Sequence, residues 1–191
     1  MKPLIVIVEG PDRCGKGSFI EVLRDNIVSS KQIAIHSGKP PSDVEDKQEW
    51  AMNYNLGLIN NVNLLSRIND VIILDRSYIG EYVYGLIYRK IKYTDTMFED
   101  FENKAIKYLL NTRHVVLVNL TDSPENVILR EDGNSHQGTI ITKEYEHQCF
   151  RNLHKLSIIK NKHLIDWSTE TFNTTALQNL TDKILENWRN D

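Results

Sequence analysis

Nine residues near the N-terminus, Gly10-Pro11-Asp12-Arg13-Cys14-Gly15-Lys16-Gly17-Ser18, have the types and spacing to hold a chain of phosphates. Gly10 and Gly15 permit the backbone geometry that turns successive N–H groups inward on an anion. Lys16 can bridge the outer phosphate oxygens as a point charge, and the backbone of residues 13 to 18, Cys14 included, can line the cradle. Gly17 stands where a Ser or Thr would usually offer a hydroxyl to magnesium, and Ser18 comes one residue later. The ion is therefore expected to be held largely by phosphate oxygens and water, which suits its reluctance to dehydrate.

Phosphoryl transfer needs alignment and positive charge around spread negative charge more than covalent help. Arg13, by its place in the loop, can lean its guanidinium over the transferred group. Asp75 closes an apolar run and is followed by Arg76. The carboxylate can order magnesium through its waters, with Ser18 as the other candidate ligand, and the guanidinium can grip a second phosphate. Asp75 and Arg76 could equally neutralise each other, and Asp12 could serve only to form a turn.

Elements must bring these groups together. Leu4 to Val8 runs directly into the Gly-rich loop, and Phe19, Ile20, Leu23 and Ile27 directly after it mark the apolar face of a helix. That strand–loop–helix context is the one such a cradle requires. Further strands are expected at Gln32 to Ile35, Val71 to Leu74, Val115 to Leu120 and His163 to Ile165. The long intervals between them leave room for helical crossovers. Ile79, Tyr82, Val83, Leu86 and Ile87 share one helical face, as do Leu177, Leu180, Ile184 and Trp188. The expected fold is α/β, a doubly wound five-stranded parallel sheet with helices on both faces, in one domain spanning residues 1–191. The loop from His36 to Glu45 should lie at the carboxyl ends of the strands, where ligands bind in such sheets. The polar stretch Asp132 to Thr139 is the candidate for a short lid over about residues 130–142, or else an ordinary surface loop.

Composition narrows the classes. With 23 basic and 26 acidic residues the net charge is −3, so no nucleic-acid partner is expected. Two cysteines, Cys14 and Cys149, make no disulfide framework and no zinc spacing. No apolar run approaches the length of a membrane span, and the N-terminal run is too short for a secretory core. A cytoplasmic setting with no membrane partner is the expectation. The six histidines show no triad and no metal pattern.

Glu9-Gly10-Pro11-Asp12-Arg13-Cys14-Gly15-Lys16 closely resembles the thymidylate kinase loop, Glu-Gly-Leu-Asp-Arg-Ala-Gly-Lys. Asp75-Arg76 resembles that family's Asp-Arg pair at the end of the third strand, and Tyr84 falls where the family has a Tyr in the next helix. Pro124-Glu125 followed by Arg130 resembles Pro-Glu-x-x-x-x-Arg at the lid entry, and Tyr145-Glu146 resembles the end of Glu-Arg-Tyr-Glu. Ile165-Asp166 resembles the close of the last strand. Adenylate-kinase-like enzymes carry Gly-Lys-Gly-Thr, a precedent for Gly17, and Asp75-Arg76-Ser77 is similar to the Glu-Arg-Ser of deoxynucleoside kinases. The family's Pro-x-Arg after the second strand has no counterpart beyond Lys39-Pro40, and its Asn-Arg-Trp segment is absent.

The resemblance implies an ATP-dependent kinase of a deoxynucleoside monophosphate, dTMP or a related one, using Mg2+ with ATP and binding only small-molecule nucleotides. It places Arg13 over the transferred group, Arg130 at the donor base or lid (on periodicity alone a helix-end charge), and Asp12 at the acceptor sugar's 3′-hydroxyl. It puts Arg76, Tyr84, Lys39 and one of Trp50 and Tyr54 around the acceptor. Trp50 and Tyr54 lie four apart and share a helical face, so mutual packing explains them equally. It also implies a homodimer packed through the helices near Asp75, although core packing accounts for the same apolar stripes. Two other readings stay open: a deoxynucleoside kinase or another nucleoside monophosphate kinase on this fold, and a catalytically silent nucleotide-binding protein. A monophosphate oxygen is already a nucleophile, whereas a nucleoside hydroxyl needs a general base. Asp43, Glu45 and Asp46 form no recognisable base motif, which favours the monophosphate.

Overall fold

A computed structural model describes residues 2–29, 31–38, 41, 43–130, 139–169 and 172–191. Lys39 and most of the expected lid, 131–138, lie outside the described residues. In chain order the elements are β1 (Leu4–Glu9), α1 (Lys16–Asn26), β2 (Gln32–His36), α2 (Lys47–Leu65), β3 (Val71–Asp75) and α3 (Tyr78–Tyr88). There follow α4 (Asp95–Phe101), a π-helical turn (Glu102–Ile106), α5 (Lys107–Thr112), β4 (His114–Thr121), α6 (Pro124–Leu129), α7 (Ile140–Leu156), β5 (Lys162–Asp166) and α8 (Thr174–Arg189). Every expected strand is present, extended by a residue or so at its ends.

The strands pair in parallel in the order β2-β3-β1-β4-β5. β1 is central, and its unbroken apolar run is buried because both faces of the sheet are covered. Leu4, Val6 and Val8 face α1 and α8, packing with Phe19, Leu23, Leu177, Ile184 and Trp188. Ile5 and Ile7 face the other layer, with Leu58 and Val62 of α2, Tyr78 and Val83 of α3, and Phe150 of α7. The two-residue period of a strand thus assigns alternate side chains to two cores. The Trp188 indole donates to Lys2 O at 2.7 Å and fastens α8 against the start of the central strand.

The crossovers from β1 reach β2 on one side, and the chain then passes β1 to enter β4 on the other. This reversal opens a crevice at the carboxyl ends of β1, β3 and β4. The Gly-rich loop, Asp75 and Asp122 all sit on that rim. Among the described residues no helix is long and apolar enough to cross a membrane.

Candidate active site

The loop from Gly10 to Gly15 is a conformation its glycines make possible. Gly10 has φ of 131°, and a Cβ there would lie 2.0 Å from Leu120 O. Gly15, with φ of 83°, starts α1, and a Cβ on it would strike the Phe172 ring at 2.5 Å. Arg13 lies between them with φ of 64°, a left-handed backbone that a non-glycine residue adopts at a cost. At Gly17 a Cβ would meet nothing within 4 Å, so sterics do not require glycine there.

Lys16 is almost entirely buried within the loop. Its ammonium donates to Gly10 O at 2.9 Å and to Pro11 O. Burial, and then the Arg76 charge, pull its pKa down to about 8. Cys14 is fully buried, with its thiol pushed up to about 12 chiefly by burial, so it can contribute only backbone to the cradle. The Trp167 indole donates to Cys14 O at 3.0 Å and stiffens the loop from β5's side.

A pocket of about 650 Å³ opens over this loop, lined by Arg13, Gly15, Lys16, Gly17, Ser18, His36, Asp75, Arg76, Arg130 and Phe172. Four of these are cations and one a carboxylate, a balance suited to a polyphosphate. Arg130 is held at its edge, donating to Arg13 O at 2.7 Å and to Asp122 Oδ2 at 2.5 Å. Asp122 is fully buried and also accepts from Ser123 N and Asn126 Nδ2. Arg13 donates to Val127 O at 3.2 Å, so α6 anchors the guanidinium expected over the transferred group.

Asp75 and Arg76 do not neutralise each other. Asp75 Oδ2 lies 2.9 Å from His36 Nδ1, whereas Arg76 turns back at φ of 69° and pairs with Asp12. Arg76 also donates to the Tyr84 hydroxyl at 3.1 Å, and its guanidinium lies 5.4 Å from that ring's centroid. Burial alone would raise the Asp12 carboxyl, but Arg76 and Lys16 together hold it below the usual range. Arg76, Asp12 and Tyr84 therefore form one clamp beside the cradle. Trp50 and Tyr54 stack on each other, with centroids 4.9 Å apart, and Tyr54 Oη accepts from Gly38 N at 2.8 Å. Neither lines the pocket over the Gly-rich loop; Trp50 faces a separate open groove with Lys47, Arg89 and Lys92.

Sequence reasoning missed Asp122, His36 and Phe172. Asp122 could have been suspected from its place at the end of β4. His36 and Phe172 carried no local signal, since their partners are far away in the chain. Among the described residues no three His, Cys, Asp or Glu side chains converge on a metal position. Asp75 and the exposed Ser18 nevertheless both line the pocket over the Gly-rich loop, an oxygen pair that fits a magnesium ion arriving with a nucleotide and keeping most of its water.

Glu9 lies just behind the cradle, fully buried. Its Oε1 accepts from both Ser77 N and Ser77 Oγ at 2.7 Å, and a Cβ on Gly80 would lie 3.1 Å from Oε2. Burial pushes its carboxyl up to about 7, against the lowering effects of Ser77, Gly80 and Arg76. The folded protein then keeps this proton to a higher pH than the unfolded chain. The stability it contributes is complete below the ordinary value of 4.5 and lost as pH rises through about 7. Glu9→Gln should remove about 3 kcal/mol of that slope, read as the wild-type minus variant difference between about pH 4.5 and 8 in urea unfolding. Parallel curves for the two proteins would contradict the assignment.

No family model matches the chain. A curated protein provisionally named thymidylate kinase, from Acidianus bottle-shaped virus (isolate Italy/Pozzuoli), is 32% identical over 108 residues. That match covers 56% of this chain and 62% of the viral protein. Among solved structures, the thymidylate kinase of Candida albicans aligns with 97% of this chain and 90% of its own at TM-score 0.58 and 18% identity. The deoxyadenosine kinase of M. mycoides with bound dCTP aligns over 96% and 99% at TM-score 0.56 and 12% identity. YorR of Bacillus subtilis, in complex with phosphorylated GDP, aligns over 95% and 93% at TM-score 0.58 and 21% identity. The chain has the α/β fold of the P-loop nucleotide and nucleoside kinases, and it resembles the thymidylate kinases among them.

Proposed function

We propose that the protein transfers the terminal phosphoryl group of ATP to a deoxynucleoside monophosphate, dTMP or a close relative. The observation that carries this reading is the Arg76–Asp12–Tyr84 clamp set against a cationic phosphate cradle. The loop backbone and Lys16 bind the donor phosphates. Arg76 takes the acceptor phosphate, and Asp12 accepts from the sugar's 3′-hydroxyl. An acceptor phosphate oxygen attacks the terminal phosphorus, the bond to the bridging oxygen breaks, and ADP leaves. No base is needed, because the attacking oxygen carries its own charge. Magnesium, bound with the nucleotide and met by Asp75 through water, would screen charge on the phosphates. Phe172 and Arg130 line the same pocket and supply a ring and a planar cation for the donor base.

One observation favours a second reading. His36, paired with Asp75 inside the phosphate pocket, supplies a proton acceptor of the kind a hydroxyl substrate would require. The test is incubation with ATP and magnesium against each deoxy- and ribonucleoside monophosphate and each nucleoside, followed by chromatography of the products. Turnover confined to deoxynucleoside monophosphates is expected. Turnover of nucleosides alone would establish the second reading, and none with any acceptor would overturn both.

A further inference from the structure

Behind the acceptor clamp lies a charged cluster that the chemistry above does not use. Lys143 and Glu146 stand three apart on one face of α7, and their side chains are 2% and 0% exposed. The Lys143 ammonium donates to Glu146 Oε2 at 2.9 Å and to the Tyr88 hydroxyl at 3.3 Å. Tyr88 in turn donates to the same Glu146 oxygen at 2.7 Å. Among the described residues the other oxygen, Oε1, is buried with no hydrogen-bond partner. Glu146 therefore depends on Lys143 and Tyr88 at one oxygen. A buried ion pair is seldom more stabilising than apolar side chains of the same volume, so fold stability alone does not explain it.

Direct contacts lead from this pair to the clamp. The Tyr88 ring stacks on Tyr84, with centroids 5.9 Å apart and planes 25° apart. Tyr84 receives the hydrogen bond of Arg76 at 3.1 Å, and Arg76 holds Asp12. Lys143 also acts on Asp12 through space, as the weakest of the charges lowering its carboxyl.

We propose that Lys143 is a positioning residue for the acceptor: by neutralising Glu146 and fixing the Tyr88 hydroxyl, it holds Tyr84 and Arg76 in the orientation that receives the acceptor nucleotide. The inference rests on the kinase reading above and names α7 as the outer support of its acceptor site. Without Lys143, Glu146 is a buried anion left, among the described residues, with the Tyr88 hydroxyl as its donor. Arg76, one tyrosine beyond, becomes the cation facing it, and Asp12 then competes for the same guanidinium.

The experiment compares wild type, Lys143→Met, Tyr88→Phe and the double variant Lys143→Met/Glu146→Gln. KM is measured separately for acceptor and ATP, and the Arg76 guanidinium resonances are followed by NMR in the nucleotide-free protein. Lys143→Met should raise the acceptor KM roughly tenfold and leave the ATP KM within about twofold. Tyr88→Phe keeps the ring stack and should give a smaller rise of the same kind. The double variant, with no uncompensated charge, should recover most of the acceptor KM and the wild-type Arg76 resonances. Equal rises in both KM values, or an unmoved Arg76 signal with an unmoved acceptor KM, would overturn the proposal. If Lys143→Met does not fold, Tyr88→Phe and the double variant decide by the same criteria. If wild type turns over no acceptor, the kinase reading falls, and the Arg76 resonances alone decide whether α7 supports the clamp.

Discussion

Lys16→Met is expected to lower kcat/KM for phosphoryl transfer roughly a thousandfold while leaving the protein folded. The ammonium is the most enclosed cation lining the pocket over the Gly-rich loop, and it rests on Gly10 O and Pro11 O. Methionine fills the same channel, and what it lacks is the charge that must follow phosphate oxygens as their negative charge redistributes. A companion measurement isolates that charge without turnover. Burial, followed by Arg76, holds the Lys16 pKa at about 8 before nucleotide arrives. Bound phosphates favour the ammonium, so its pKa rises on binding. Wild type should therefore take up most of a proton on binding nucleotide near about pH 8.5 and almost none near about pH 6.5. Calorimetry in buffers of different ionisation enthalpy reads this directly. Uptake that persists in Lys16→Met would assign the proton to another group.

What the sequence revealed and what it hid divide along physical lines. β1, β3 and β4 were legible because strands covered on both faces must be continuously apolar. The loop was legible because its geometry is local: Gly10 and Gly15 supply positive-φ backbone, and the Lys16 ammonium donates to Gly10 O six residues back. The surroundings of that cradle are long-range. His36 meets Asp75 across 39 residues, and Phe172 reaches Gly15 from the segment between β5 and α8, separations at which no periodicity carries information. Even Arg13, correctly set in the loop, could not be oriented from sequence, because Val127 O, its anchor, lies 114 residues away. Lys143 and Glu146 illustrate the other failure. Spacing alone says only that the two can meet on one helical face, and the packing of α7 on α3 is what buries them.

The same long-range order explains why Arg76 should be the most sensitive acceptor-side residue. Arg76→Lys is expected to cut kcat/KM for the acceptor about a hundredfold, or about 2.7 kcal/mol, with the ATP KM nearly unchanged. The guanidinium serves three partners at once: the Asp12 carboxylate, the Tyr84 hydroxyl and the Tyr84 ring. A lysine ammonium keeps the charge but lacks the planar fork, so it cannot lie on the ring, hold Asp12 and meet a phosphate together. Arg76→Ala should cost more, because Asp12, only 13% exposed, is then left without its cation. Adding Asp12→Asn to Arg76→Ala separates the two costs. Recovery of thermal stability without recovery of acceptor turnover would show that Arg76 grips the substrate itself. Recovery of both would mean that its role is only to balance Asp12, and the acceptor phosphate would have to be held by another of the pocket's cations.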